Sequence, residues 1–190
     1  MKTSVKRIGA ALCLGALMAC SDGGAAERST AAEEAEVQLA TDASAALHTV
    51  RSALDDHGAD PALSLLAARA CLALDRRGEA LEHAAAGLDA EDLDEDMESE
   101  LEWARGTALM GRFNELGSSA DWRGANTALE TATRAGGRRV EAATLLVFLQ
   151  DMGNLGTPAR REKFAKLVYE LDTEGKSAEK VRAYLAAWGG

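Results

Sequence analysis

The sequence is poor in most of what metal-binding and redox proteins use. Of 190 residues, three are cysteine, three are histidine and two are proline. No CxxC pair occurs, and His48, His57 and His83 have no ligand spacing, so no metal or cofactor is expected. Gly136-Gly137 lack the flanking pattern of a phosphate loop. Aromatic residues make up 4%, whereas apolar residues reach 47%, carried by alanine and leucine. Strands favour β-branched and aromatic side chains, so this mixture predicts packed helices. Cations are scarce too: 21 Lys and Arg against 31 Asp and Glu, a formal charge of −10. Three of those cations (Lys2, Lys6, Arg7) precede the first apolar run; without them 18 face 31. A body that acidic repels anionic lipid headgroups and nucleic acid; nucleic acid is therefore not an expected partner. The charge is lopsided. Residues 21–133 carry 8 basic and 24 acidic side chains, and residues 134–190 carry 10 and 7.

Catalytic patterns are equally thin. Residues 177–180, "SAEK", match the Ser-x-x-Lys pattern of penicillin-recognising enzymes, but no Ser-Asp-Asn or Lys-Thr-Gly companion appears. Ser177 reads better as a helix cap. Residues 91–102, "EDLDEDMESELE", hold eight acids in twelve residues. A calcium loop starting at Asp92 would need glycine at its sixth position and glutamate at its twelfth, which are Met97 and Trp103. The run reads instead as a solvated helix start, with Leu93, Met97 and Leu101 as its apolar stripe; a weaker reading is an acidic docking patch. Arg160, Arg161, Lys163 and Lys166 read as a solvated cationic face; the alternative is contact with lipid headgroups or an acidic partner.

What is present is helical punctuation. "TAAE" at 30–33 reads as a capping box, followed by Val37, Leu39, Ala43, Leu47, Val50 and Leu54 at helical spacing up to Gly58. Asp60-Pro61 and Thr157-Pro158 pair a capping side chain with proline at the first helical position. A helix containing Met97, Leu101 and Ala108 is expected to end near Gly111. Residues 140–152 are strongly apolar and are expected to form the most buried helix, and a last helix is expected over 177–188. Seven or eight helices joined by short turns follow: an all-α chain of antiparallel hairpins.

The N-terminus carries the first family resemblance. Residues 1–7 are short and basic, and residues 8–19 are all apolar or glycine. That run is short for a membrane span but suits a secretory signal. Leu17-Met18-Ala19-Cys20 then resembles the lipobox of bacterial lipoproteins; the alternative is an ordinary signal peptide with a chance cysteine. The resemblance implies cleavage before Cys20, a thioether-linked diacylglycerol on its sulfur and acylation of its new amine. Two or more acyl chains anchor stably where one does not. Ser21 rather than aspartate follows the cysteine, which favours the outer membrane, facing the periplasm. Residues 20–30 read as a flexible tether with a reach of roughly 18 Å. With Cys13 removed and Cys20 lipidated, only Cys71 remains, read as a small core residue.

The second resemblance lies in residues 61–89, "PALSLLAARACLALDRRGEALEHAAAGLD", which resemble a tetratricopeptide repeat. Ala68 and Ala80 fall on the paired small positions, Cys71 on a larger one, and Gly87 on a later alanine. A second unit is indicated over 99–135, with Gly106 and Ala125 as its small positions and about seven extra residues around "FNELGSSAD". The resemblance implies that residues 31–190 form a short tetratricopeptide-like α-solenoid; a compact helical bundle is the alternative. It also implies a groove for a peptide or helix, lined by Leu65, Arg69, Leu72, Trp103 and Met110.

The expected protein is a non-enzymatic, lipid-anchored adaptor or assembly factor. It would act on an envelope complex such as a pilus, secretion or motility machine. The alternative is a cell-wall-acting enzyme or enzyme subunit.

Overall fold

The protein was analysed as a computed structural model, which describes residues 9–91 and 93–188, with side chains over 24–91 and 93–187. The lipobox and Cys20 lie outside the described side chains. Nine α-helices and no strand occur among the described residues. They are α1 (Gly9–Leu39), α2 (Ala43–His57), α3 (Pro61–Ala73), α4 (Arg77–Leu88), α5 (Glu95–Leu116), α6 (Ser119–Ala132), α7 (Arg139–Leu149), α8 (Pro158–Leu171) and α9 (Lys176–Trp188). A single 3₁₀ turn, Met152–Asn154, separates α7 from α8. The fold is all-α, packed as consecutive helix pairs. Odd-numbered helices also touch in succession, α1 to α3, α3 to α5, α5 to α7 and α7 to α9. Among the described residues no helix is long and apolar enough to cross a membrane.

The two capped prolines act as expected. Asp60 Oδ1 accepts from the Ala62 and Leu63 amides at 2.9 and 3.0 Å, and Thr157 Oγ1 accepts from the Arg160 amide at 3.3 Å. Elsewhere the boundaries differ. The stripe expected to run unbroken to Gly58 is split at residues 40–42. There the Asp42 carboxylate accepts from the Ser44 and Ala45 amides and starts α2. Aspartate bonds better to exposed amides at a helix start than inside a helix, so it wins over the continuing apolar pattern. Val37, placed on that stripe, is 74% exposed; α1 buries Ala35 instead. Residues 24–30, part of the expected tether, belong to α1. Thr30 is no cap, for its hydroxyl donates to the Ala26 carbonyl one turn back. Arg28 reaches Asp60 at 3.6 Å and Glu27 reaches His57 at 3.5 Å, so this part of the helix is docked against the α2–α3 corner.

Helix α5 runs past Gly111 to Leu116 and stops at Gly117, which has φ 69°. Gly111 lies inside the helix, and Arg77, which pairs with Asp75 and Glu115, packs over it in the space a side chain would take. The acidic start of α5 is not merely solvated. Asp96 accepts from the Gly136 amide at 2.9 Å and Glu100 from the Gly137 amide at 2.8 Å, tying the α6–α7 turn to α5. Ser177 is not the cap of α9. Asp172 takes that role, accepting from Gly175 at 3.0 Å and Ala178 at 2.7 Å, and the Ala178 bond leads in holding its carboxyl below the usual range.

The buried side chains form three clusters in chain order. The first joins α1, α2 and α3 through Ala35, Leu47, Val50 and Leu63. The second packs Leu65, Ala68 and Ala84 against Leu101 and Ala104. The third and largest holds Trp122, Leu129, Leu146, Phe164 and Val181. Small residues set the helix spacing. A Cβ on Gly87 would come within 2.7 Å of Leu101, and one on Gly106 within 2.7 Å of Leu129. Cys71 is fully buried, and burial pushes its thiol pKa up, so it acts as core.

Two acids, Glu102 and Asp121, are buried against this economy. Glu102 is 8% exposed, and burial raises its pKa against the pull of Arg105 at 2.8 Å. Its folded-state pKa lies above the unfolded one, so the contribution is present in acid and lost as pH rises through the folded value. Glu102→Gln is therefore expected to raise Tm at neutral pH, with the gain vanishing below about pH 4.3, the ordinary glutamate value. A lower Tm at pH 7 would show that the Arg105 pair outweighs the cost of burial.

Candidate functional site

The odd-numbered helices carry a groove. Its first part, about 460 Å³, lies between the end of α3, α5 and the 3₁₀ turn, with Leu72, Met110, Leu145 and Met152 as apolar walls. Asp75 and Arg77 close it at the α3–α4 corner, and they pair with each other at 2.6 Å. The second part, about 310 Å³, lies between α5, α7 and α9 and is walled by Trp103, Leu145 and Phe148. Both parts are lined by Thr107 and Leu145, so they adjoin.

Several polar groups of the groove are satisfied from within, although the buried Trp103 indole nitrogen has no hydrogen-bond partner among the described residues. Thr107 donates to the Trp103 carbonyl at 2.8 Å and Thr144 to the Val140 carbonyl at 2.7 Å. Each hydroxyl is tied to its own helix. Arg138 lies over the Trp103 ring at 4.6 Å and pairs with Glu141 at 2.7 Å. Beyond these, Phe148 meets Tyr184 edge-on at 4.7 Å, and the Tyr184 hydroxyl donates to Asp151 at 2.7 Å. Burial foremost, with the Asp151 bond, pushes the Tyr184 pKa up to about 12. The tyrosine is thus a neutral strut that holds α9 against α7. The walls offer apolar contact, and Ser177 and Lys180 of α9, one helical turn apart, line the second part beside them.

Of the positions singled out from the repeat resemblance, Leu72, Met110 and Trp103 line the groove. Leu65 does not: it is 8% exposed and packs in the middle core cluster. Arg69 is held by Glu36 of α1 through two hydrogen bonds at 2.9 and 3.1 Å. It braces α3 against α1. Leu145, Phe148 and Met152 complete the groove but were not singled out. They lie in the strongly apolar stretch 140–152, whose apolar side chains all read as core. Their only signal is position: residues 145, 148 and 152 are spaced three and four apart, one helical face.

Among the described residues no three His, Cys, Asp or Glu side chains come together as a metal site. His48 and His57 share a shallow cavity with Asp56 on α2, and burial lowers the pKa of His83. Compared with known proteins, the chain matches no family model, no curated protein and no solved structure.

Proposed function

We propose that the protein is a lipid-anchored adaptor of a bacterial envelope complex, fixed through Cys20 and facing the periplasm. Its tetratricopeptide-like array would hold an apolar peptide or helix of its partner in the groove on α3, α5 and α7. The observation that carries this reading is the adjoining pair of cavities lined by Leu72, Met110, Trp103, Leu145 and Phe148. Three of these five were expected from repeat position alone. Apolar anchors at helical spacing are what such a groove accepts. The lipobox resemblance and the acyl-chain arithmetic supply the anchor.

The test is crosslinking in cells, then purification of the C-terminally tagged full chain from detergent-solubilised envelopes. Cys20→Ala, the groove variant Met110→Glu/Phe148→Glu and the exposed-site control Val37→Glu run beside it. One envelope protein should be enriched by the native chain and by the control, and reduced in Cys20→Ala. The groove variant should lose it by about tenfold or more, the scale of losing a buried apolar anchor. Equal enrichment by the folded groove variant would remove the groove from the function. No enrichment by a folded, membrane-bound native chain would end the adaptor reading.

A further inference from the structure

A second cavity, on the opposite kind of helix, has the reverse chemistry. The even-numbered α6 and α8 stand apart, and a cleft of about 300 Å³ opens between them. Three arginines line it: Arg123 from α6, Arg134 just beyond the C-terminal end of α6, and Arg160 from α8. Thr127, Glu130 and Thr131 lie on the same α6 face, at spacings of three and four residues from the arginines. The floor is Asn126, 4% exposed and already engaged, its amide nitrogen on the Trp122 carbonyl and its oxygen on Gln150.

The charges here do not cancel. Several arginines elsewhere are paired, Arg51 with Glu79, Arg77 with Glu115 and Arg161 with Asp151, whereas Arg139 is held by the Thr133 carbonyl and Arg182 lies over Tyr169. In the cleft only Arg160 has a carboxylate, that of Glu130. Arg123 and Arg134 have no acidic partner within ion-pair distance among the described residues. The cleft therefore holds three guanidinium groups against one carboxylate, in a chain whose formal charge is −10. Like charges gathered from two helices repel, and an overall acidic protein has carboxylates to spare for neutralising them. Their persistence in one cavity points to a ligand that supplies the missing charge.

We propose that the α6–α8 cleft binds a phosphoryl group. The excess of two positive charges matches a phosphoryl dianion, whereas a single carboxylate would leave one charge unmet. Guanidinium forks suit phosphoryl oxygens, and the Thr131 hydroxyl supplies a neutral donor beside them, that of Thr127 being engaged on the Arg123 carbonyl at 3.2 Å. The proposal is independent of the groove, which lies on other helices. The phosphoryl group can come from a soluble phosphate or from a phosphomonoester lipid headgroup, and the two sources are separable.

The experiment titrates the full chain in detergent micelles with inorganic phosphate at low ionic strength by calorimetry. In parallel, phosphatidylcholine vesicles with and without phosphatidic acid are tested for cosedimentation. Arg123→Gln and Arg134→Gln should each weaken binding by about tenfold, the scale of one charge-assisted contact. Glu130→Gln should tighten it by freeing Arg160. Lys176→Gln, which removes an exposed charge outside the cleft, should leave it unchanged. Saturable phosphate binding with this pattern identifies a soluble ligand. The same pattern seen only on vesicles with phosphatidic acid identifies a headgroup. Binding to neither probe overturns the proposal, as does an equal loss in Lys176→Gln and in the two arginine variants, which would show bulk charge rather than a site.

Discussion

Replacing Gly156 by alanine is expected to destabilise the protein by about 3 kcal/mol, at the upper end of overpacking costs. Gly156 lies between the 3₁₀ turn and α8, where the chain doubles back on itself. A Cβ there would overlap the carbonyl oxygen, carbonyl carbon and Cα of Gln150. These are backbone atoms that no rotamer change moves aside. They are also held from below. The Gln150 amide nitrogen donates to Asn126 at 2.9 Å, and the Trp122 indole donates to the Leu149 carbonyl at 2.9 Å. To admit the methyl group the turn must lift off α6, breaking one or both bonds. Gly117→Ala is the matched control. Its Cβ meets nothing within 4 Å, so only the left-handed φ of 69° is penalised, at about 1 kcal/mol. Urea denaturation of both variants checks the pair. If Gly156→Ala lost no more stability than Gly117→Ala, the close approach to Gln150 would be wrong.

Phe164→Ala is expected to cost about 3–5 kcal/mol, a large share of the 5–15 kcal/mol that usually separates folded from unfolded domains. Phe164 is the largest fully buried side chain, 1% exposed, in the cluster of Leu129, Leu146, Val168 and Val181. The lost ring leaves a cavity that neighbouring helices fill only in part. Where the damage spreads is as informative as its size. Helix α9 packs on α7 and α8, far from the first core cluster. In an array whose units contact mainly their neighbours, loosening should stay local. Amide hydrogen exchange should quicken over α8 and α9 while α2, α3 and α4 keep their protection. Uniform loss of protection along the chain would mean one cooperative core instead.

Much of the fold was legible because local chemistry and burial agreed. At Asp60-Pro61 and Thr157-Pro158 the cap, the proline and the apolar stripe all point to one start, and helices begin there. Misreadings arose where two signals conflicted. The apolar spacing from Val37 to Leu54 continues across Asp42, and a cap hidden inside a good stripe is easily passed over. Gly111 reads as a helix stop, but Arg77, more than thirty residues earlier, occupies the space its missing side chain leaves. Residues 24–30 look like a tether by composition, yet Glu27 and Arg28 find partners on α2 and the α2–α3 turn that no local window contains. The candidate sites divide in the same way. Leu72, Met110 and Trp103 could be placed because helical phase places them. The arginine cleft could not, since Arg123 and Arg160 lie 37 positions apart on helices whose separation only tertiary packing sets.

The glycines and alanines at the helix crossings have a mechanical consequence. Where Gly87 meets Leu101 and Gly106 meets Leu129, backbone lies against side chain with no intervening methylene. Such joints have few rotamers to change, so they act as hard stops rather than springs. The groove spans this frame, yet its walls include Met110 and Met152, unbranched thioethers that reshape at little cost. Compliance is thereby concentrated in the lining rather than in the joints that fix α5 against α4 and α6.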